Sequence, residues 1–98
     1  MTFDDVARVF EGESDVARGR GFAREVLKRE GKIFAIDYED SVVFKLPADR
    51  CAALVEGTSA VPFDRGQGKP LREWVVVSER DSWVELAREA LAFARSLG

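Results

Sequence analysis

The amino-acid sequence predicts an α+β domain: a central antiparallel β-sheet, arranged as a meander, flanked by helices and followed by a long C-terminal amphipathic helix. Three extended runs between residues 22 and 46 are separated by turns of only two or three residues. Such short connections fit antiparallel strands, because parallel strands need a crossover of a dozen residues or more. Residues 83–97 instead repeat apolar side chains at spacings of three and four, which is typical of a helix with one buried face.

The first elements are a short helix and an edge strand. Thr2 and Asp5 have the spacing of a helix cap, and apolar side chains recur at helical intervals as far as Phe10. The next residues are polar and rich in glycine. We therefore predict a loop over 11–21 that contains a short edge strand through Val16 to Arg20.

The meander follows, with strands over Phe22 to Lys28, Lys32 to Tyr38 and Ser41 to Leu46. The first two runs are joined at Gly31, where glycine supplies the positive φ of a hairpin turn. The second turn lies at Glu39 and Asp40. The residues from 33 to 36 are all apolar, as expected for a central strand.

A second helix is predicted to begin at Pro47 and to end at Gly57. Proline is suited to the first turn of a helix, because the amide hydrogen that it lacks would have no partner there. Its apolar side chains are Ala48, Cys51, Ala52 and Val55, with Leu54 beside them. Residues 58–70 are rich in turn formers and hold a short strand over 61–63. A further strand is expected over Arg72 to Val77.

In the C-terminal helix, Ser82 and Glu85 have the spacing of a capping box. The apolar stripe is expected to face the core and includes Trp83, Leu86, Ala87, Ala90 and Leu91. We also expect Trp74 to be buried in the core. The pattern indicates one domain over residues 1–98.

Composition excludes several classes of protein. The chain has 98 residues, 46% of them hydrophobic and 34% charged, which is globular rather than disordered composition. No apolar run approaches the ~18 residues of a membrane span, and no cationic stretch opens a signal peptide. The single cysteine fits a reducing compartment, so we expect a cytoplasmic protein that does not bind membranes.

Charge is distributed unevenly along a chain whose formal net charge is −3. Residues 18–32 hold six basic side chains and two acidic ones, and a smaller basic cluster follows the second helix. If the two clusters met in space they would form a cationic patch that could bind an anion or a nucleic acid. The candidate binding residues are Arg18, Arg20, Arg24, Lys28, Arg29, Lys32, Arg65, Lys69 and Arg72.

Catalytic signatures are weak. The chain has no histidine, which excludes Ser-His-Asp and Cys-His catalysis and histidine-ligated metals. Cys51 lacks a base and fits a packed core thiol better than a nucleophile. The acidic residues Asp37, Glu39 and Asp40 fit turn chemistry better than an acid–base pair or a cation site. We expect no catalytic residue, no metal and no cofactor.

Two other patterns have competing interpretations. Residues 66–69 have the letters GQGK, but a proline follows where a phosphate-binding loop needs Ser or Thr and a helix. We therefore predict a flexible connection, with anion binding as the alternative. The aromatic residues fit core packing better than a base-stacking sheet face; they are Phe22, Phe34, Tyr38, Phe44, Phe63, Trp74, Trp83 and Phe93.

Several short motifs, taken together, resemble a family. They are 31–35 (GKIFA), 43–47 (VFKLP), 62–63 (PF), 68–75 (GKPLREWV) and the C-terminal helix. This set is similar to the TfoX N-terminal domain and the related YjbR (MmcQ) group of small bacterial proteins. The resemblance spans residues 19–97 and implies an α+β domain with a central antiparallel sheet. It also implies a regulatory or DNA-binding association and brings no catalytic residues. The aromatic-Gly-Gly turn frequent in that family is replaced here by Gly21-Phe22-Ala23.

We therefore expect a non-enzymatic regulatory or interaction module that acts through contacts with a protein partner or a small ligand. The alternative is a nucleic-acid-binding module that uses the basic segment 18–32.

Overall fold

The computed structural model describes residues 1–64, 66 and 68–97. Its helices are Phe3–Val9 (α1), Ala48–Gly57 (α2) and Trp83–Ser96 (α3), with a 3-10 turn at Arg80–Ser82. Its strands are Val16–Gly21 (β1), Arg24–Arg29 (β2), Lys32–Tyr38 (β3), Ser41–Lys45 (β4), Val61–Phe63 (β5) and Leu71–Val77 (β6). They form one antiparallel sheet in the order β1-β2-β3-β4-β6-β5. The predicted α+β class with a C-terminal helix is confirmed, and the meander has four strands, β1 to β4.

α1 begins as the sequence predicts. The Thr2 hydroxyl accepts a hydrogen bond from the Asp5 amide at 3.2 Å, and the Asp5 carboxylate accepts one from the Thr2 amide at 2.8 Å. These reciprocal bonds satisfy two amide groups that have no partner inside the helix.

The turn between β2 and β3 lies at Glu30 and Gly31, as predicted, and both residues have positive φ. The turn between β1 and β2 differs from the prediction. Phe22 and Ala23 form this turn and have φ of 57° and 62°, so β2 begins at Arg24 rather than at Phe22. Their side chains disfavour positive φ, and for that reason the sequence contained no signal for this turn.

A β-bulge in β3 determines which side chains of this strand point to each face of the sheet. Leu27 pairs with Ala35, whereas Lys28 pairs with Ile33, so Phe34 is an extra residue in the ladder. Phe34 and Ala35 consequently both lie in the main core, whereas Ile33 and Ile36 belong to the opposite face.

The main core lies between one face of the sheet, which we call the helical face, and the three helices. α3 packs across β2, β3 and β4, α1 packs against α3, and α2 packs against β5 and β6. The predicted stripe of α3 is confirmed: Trp83, Leu86, Ala87, Ala90 and Leu91 are buried. The indole Nε1 of Trp83, which is 1% exposed, donates to the Val77 carbonyl at 2.9 Å.

The predicted capping box at the start of α3 is wrong. Ser82 makes no side-chain bond to the helix, and its hydroxyl donates to the Glu79 carbonyl at 2.8 Å instead. The 3-10 turn places Ser82 in a helical conformation, and its hydroxyl therefore cannot cap the amides that follow. None of the helices in the described part of the chain has the length and apolar character that a bilayer crossing demands.

Candidate ligand-binding face

The second face of the sheet lies opposite the helices and has its own small core. Val26, Ile36 and Val43 are buried at its centre. Half-buried side chains surround them, namely Ile33, Tyr38, Phe63, Trp74 and Val76. Among the described residues, no helical side chain belongs to this cluster. Strand side chains and the segment after β5 are thus the only described cover of this apolar surface.

Three aromatic rings form a row on the second face. Tyr38 and Phe63 meet edge to face, with ring centroids 5.6 Å apart and an interplanar angle of 82°. Phe63 and Trp74 are tilted by 56° at a centroid distance of 6.5 Å. Phe63 belongs to edge strand β5, and its ring reaches Tyr38 although β4 and β6 lie between their strands. The row therefore extends from β3 to β5, across four of the six strands.

Cationic side chains lie against this row. The guanidinium carbon of Arg24 is 4.4 Å from the centroid of Tyr38, and Lys45 Nζ is 5.7 Å from that of Trp74. Both distances are within the range of cation–π attraction. Lys28 lies on the same face, because it pairs with Ile33. The face therefore combines aromatic rings with positive charge.

An open cleft of about 490 Å³ lies where the β1–β2 turn approaches the aromatic row. We call it the aromatic cleft. Phe22, which is 55% exposed, lines the cleft together with Tyr38 and Phe63. Arg24 is the one cationic side chain among the described lining residues. The remaining lining residues are Ile36, Asp64 and Gly66.

Arg24 differs from most other arginines of the chain in its polar contacts. Its guanidinium makes no hydrogen bond and no ion pair with any residue that the structure describes. By contrast, Arg50 binds both carboxylate oxygens of Glu89, at 2.8 and 3.1 Å. Arg24 therefore lines the cleft beside Tyr38 with N–H donors that no described residue uses.

The predicted basic segment 18–32 does not form one surface, because its residues alternate between the two faces. Arg18, on the helical face, binds Asp4 and Glu25, both at 2.8 Å. The hydrogen bond from Arg18 holds the pKa of Asp4 below its usual value. Arg29 binds Asp15 at 3.2 Å and also faces Glu30. Arg18 and Arg29 are therefore neutralised within the protein.

The acidic partner of Arg29 is the centre of a wider network. Asp15 also accepts two bonds from Arg95 of α3, at 2.8 and 2.9 Å, and Arg95 binds Glu13 at 2.7 Å. The bonds from Arg95, followed by that from Arg29, hold the pKa of Asp15 far below its usual value. This network ties the start of β1 to the end of α3.

The other predicted cations are dispersed. Arg20 donates to the Ala23 carbonyl at 3.3 Å, and Lys32 is exposed at the β2–β3 turn. Lys69 is exposed, and Arg72 lines a different cleft. Arg65 lies outside the described residues. Since β3 and β4 separate β2 from β6, Arg24 and Arg72 open into different cavities rather than forming one patch.

The second cavity, of about 520 Å³, lies between α2 and strands β5 and β6. Trp74 forms part of its wall and is half-buried, so the prediction that it is a buried core residue is wrong. Ala48 and Ala52, predicted as core residues of α2, are exposed in this cavity, whereas Cys51 and Leu54 are buried. Burial raises the pKa of the Cys51 thiol, which donates weakly to the Leu46 carbonyl at 3.6 Å.

Two of the three acidic residues considered for catalysis line one cleft. Asp37 and Glu39 line a shallow polar cleft with Glu25, Arg20 and Arg24. Asp40 is fully exposed and forms an ion pair with Arg80 at 3.8 Å. Burial, and then repulsion from Glu25, raise the pKa of Asp37. Within the described residues no group of three or more Cys, Asp or Glu side chains could hold a metal ion.

Sequence reasoning identified Arg24 and Lys28 as binding residues, but it assigned Tyr38, Phe63 and Trp74 to the core and did not include Lys45 among the binding residues. The sequence did contain one signal of the second apolar face. The run from Ile33 to Ile36 is apolar on both sides of the strand, which requires apolar surroundings on both faces of the sheet.

No family model, curated protein or solved structure matches the chain.

Proposed function

We propose that this chain is a non-enzymatic interaction module that binds its ligand or partner on the second face of the sheet, at the aromatic cleft. The observation that carries the proposal is the cleft itself, where half-buried aromatic rings and an arginine with unused donors meet on a face that no described helix covers. Binding sites are typically concave, mostly apolar and provided with a few polar groups that orient the ligand. A regulatory role resembling that of the TfoX N-terminal domain is part of the same proposal.

A binding role fits the chemistry of the described side chains better than catalysis. The only thiol, that of Cys51, is buried, and burial disfavours its reactive thiolate form. Asp37 is the acid whose raised pKa could serve proton transfer, but it lies on the helical face and not among the lining residues of the aromatic cleft. The titratable side chains that accompany Arg24 among the described lining residues are Tyr38 and Asp64, and no thiol is among them.

A fragment screen followed through the amide NMR spectrum of the isotopically labelled protein tests the proposal. We expect binding fragments to shift the amides of Arg24, Tyr38 and Phe63, and to leave those of α3 unchanged. The matched variants are Phe63→Ala, which removes the centre of the aromatic row, and Phe93→Ala, which removes a half-buried ring of α3. Hits that map to α3, or that bind Phe63→Ala as well as the parent protein, would refute the proposed site.

A single-stranded nucleic acid is the second candidate ligand, and one observation favours it. Arg24, Lys28 and Lys45 share a face with the aromatic row, and stacking rings beside cations are what sequence-tolerant single-strand binders use. The neutralisation of Arg18 and Arg29 and the net charge of −3 make it the weaker candidate.

Fluorescence anisotropy of labelled single-stranded and duplex oligonucleotides, at about 50 and about 200 mM salt, tests this candidate. A nucleic-acid binder should lose affinity steeply with salt, because phosphate contacts release counterions. The double variant Arg24→Glu and Lys28→Glu should abolish that binding. Unchanged affinity in this variant, or no binding at the lower salt concentration, removes nucleic acid from consideration.

A further inference from the structure

From the cleft geometry we infer that the ligand is a small planar ring that carries an oxyanion, with Arg24 as the anchor for the anion. The inference rests on the proposed function and names the chemical class of its ligand. The relevant chemistry is shared by aromatic carboxylates and by mononucleotides.

The anion assignment comes from the state of Arg24. Its guanidinium carbon lies 4.4 Å from the centroid of Tyr38, and its N–H donors have no hydrogen-bond partner among the described residues. A guanidinium matches the planar geometry of a carboxylate or phosphate and can bind two oxygens at once. Most of the other described arginines use their donors within the protein, so an unused set beside a cleft points to a ligand anion.

The ring assignment comes from the walls. Tyr38 and Phe63 meet at 82° and form an aromatic corner, and Phe22 also lines the cleft. Aromatic surfaces at a right angle offer one ring a stacking contact and an edge contact simultaneously. The volume of about 490 Å³ is within the range of small-ligand sites, roughly 300–1,000 Å³.

The backbone of the β1–β2 turn provides a further observation. The turn keeps Phe22 in the left-handed region at a cost in conformational energy, and strained residues of this kind cluster at binding sites. Phe22 is 55% exposed and lines the cleft, so part of its ring is open to a ligand there.

Two pairs of probes separate the charge from the ring. Naphthoate is compared with naphthamide, and adenosine monophosphate with adenosine, each titrated while the amide signals of Arg24, Tyr38 and Phe63 are followed. We expect at least one charged member to bind at the cleft and its uncharged counterpart to bind at least about tenfold more weakly, because a hydrogen bond to a charged group is lost. Preference for naphthoate identifies an aromatic acid, and preference for adenosine monophosphate identifies a nucleotide.

Arg24→Gln should lower the affinity for the charged probe by about tenfold or more and leave the affinity for the uncharged probe unchanged. Arg88→Gln is the matched control. Arg88 also lies over an aromatic ring, 5.9 Å from the centroid of Phe10, but on α3 rather than in the cleft. It should bind both probes as the parent protein does, and the amide spectrum of each variant reports whether the fold is intact.

Charged and uncharged probes that shift the cleft equally, or an Arg24→Gln variant that retains full affinity for the charged probe, would overturn the inference and leave the interaction module standing. A cleft that responds to none of the four probes also overturns it. The fragment mapping then decides separately whether the face binds anything.

Discussion

Replacing Ala23 with glycine should stabilise this protein, although glycine weakens a β-strand when it lies within one. Ala23 is the second residue of a two-residue turn and has φ of 62°, where an L side chain crowds its own backbone. It is exposed, so the substitution removes no buried contact. The balance is therefore between relief of the backbone and the greater freedom of glycine in the unfolded chain.

The magnitude follows from these two terms. A left-handed conformation costs a residue other than glycine about 1–2 kcal/mol, and glycine loses about 0.5–1 kcal/mol more than alanine on folding. The net gain is about 0.5–1 kcal/mol. In a domain of this size about 1 kcal/mol moves Tm by roughly 4–8 °C, so Ala23→Gly should raise Tm by roughly 2–8 °C.

Thermal and urea denaturation followed by circular dichroism measure this change. The control is Ala17→Gly, in the edge strand β1 that precedes this turn, where alanine is also exposed but φ is not positive. That substitution should destabilise by roughly 0.5–1 kcal/mol, since only the unfolded-state term remains. If both variants lowered Tm, the reasoning from backbone strain would be refuted.

Further predictions concern the core and two aspartates whose pKa values are shifted. Trp83→Ala should lower the free energy of unfolding by ~3–5 kcal/mol in urea denaturation, because the ring is 1% exposed, and the half-buried Trp74 should cost less; equal costs would contradict this. Asp37 has a raised pKa in the folded state, so stability falls as pH rises through that pKa. Asp37→Asn should raise Tm at neutral pH and lose this advantage in acid. Asp15 has a lowered pKa, so its contribution is present above the ordinary value of 3.8 and is lost as pH falls below it. Asp15→Asn should lower Tm at neutral pH and have a diminishing effect in acid. The same pH dependence in both aspartate variants would disprove this assignment of causes.

Local signals explain what the sequence predicted correctly. The stripe of α3, the Thr2 cap and the glycine turn at Gly31 each depend on residues within a few positions of one another. Where a local rule is broken, prediction failed. The Phe22–Ala23 turn has no glycine or asparagine, and Ser82 follows a 3-10 turn that places its hydroxyl away from the α3 amides.

The candidate site could be predicted only in part, because contacts between residues far apart in the sequence decide which cations and rings belong to it. Arg18 and Arg24 are alike in sequence, but Arg18 meets Asp4 across the helical face whereas Arg24 rests on Tyr38. The alternation of side chains along a strand assigns each residue to a face only when the register of the hairpin is known. The Phe22–Ala23 turn has no recognisable turn residue, so the sequence did not reveal that register. The contact of Phe63 with Tyr38 likewise depends on the strand order.

The β1–β2 turn links the stability of the fold to the binding site, and Phe22→Asn separates the two. Asparagine tolerates positive φ far better than phenylalanine, so this variant should unfold at a Tm no lower than that of the parent protein. The variant should nevertheless bind the charged ring probe more weakly, because it removes an aromatic ring that lines the cleft. Ala23 does not line this cleft. Ala23→Gly should therefore gain stability and retain binding, and Phe22→Asn should retain stability and lose binding. Titration of both variants with naphthoate and adenosine monophosphate decides the matter: if Phe22→Asn bound as tightly as Ala23→Gly, the strained phenylalanine would have no part in the site.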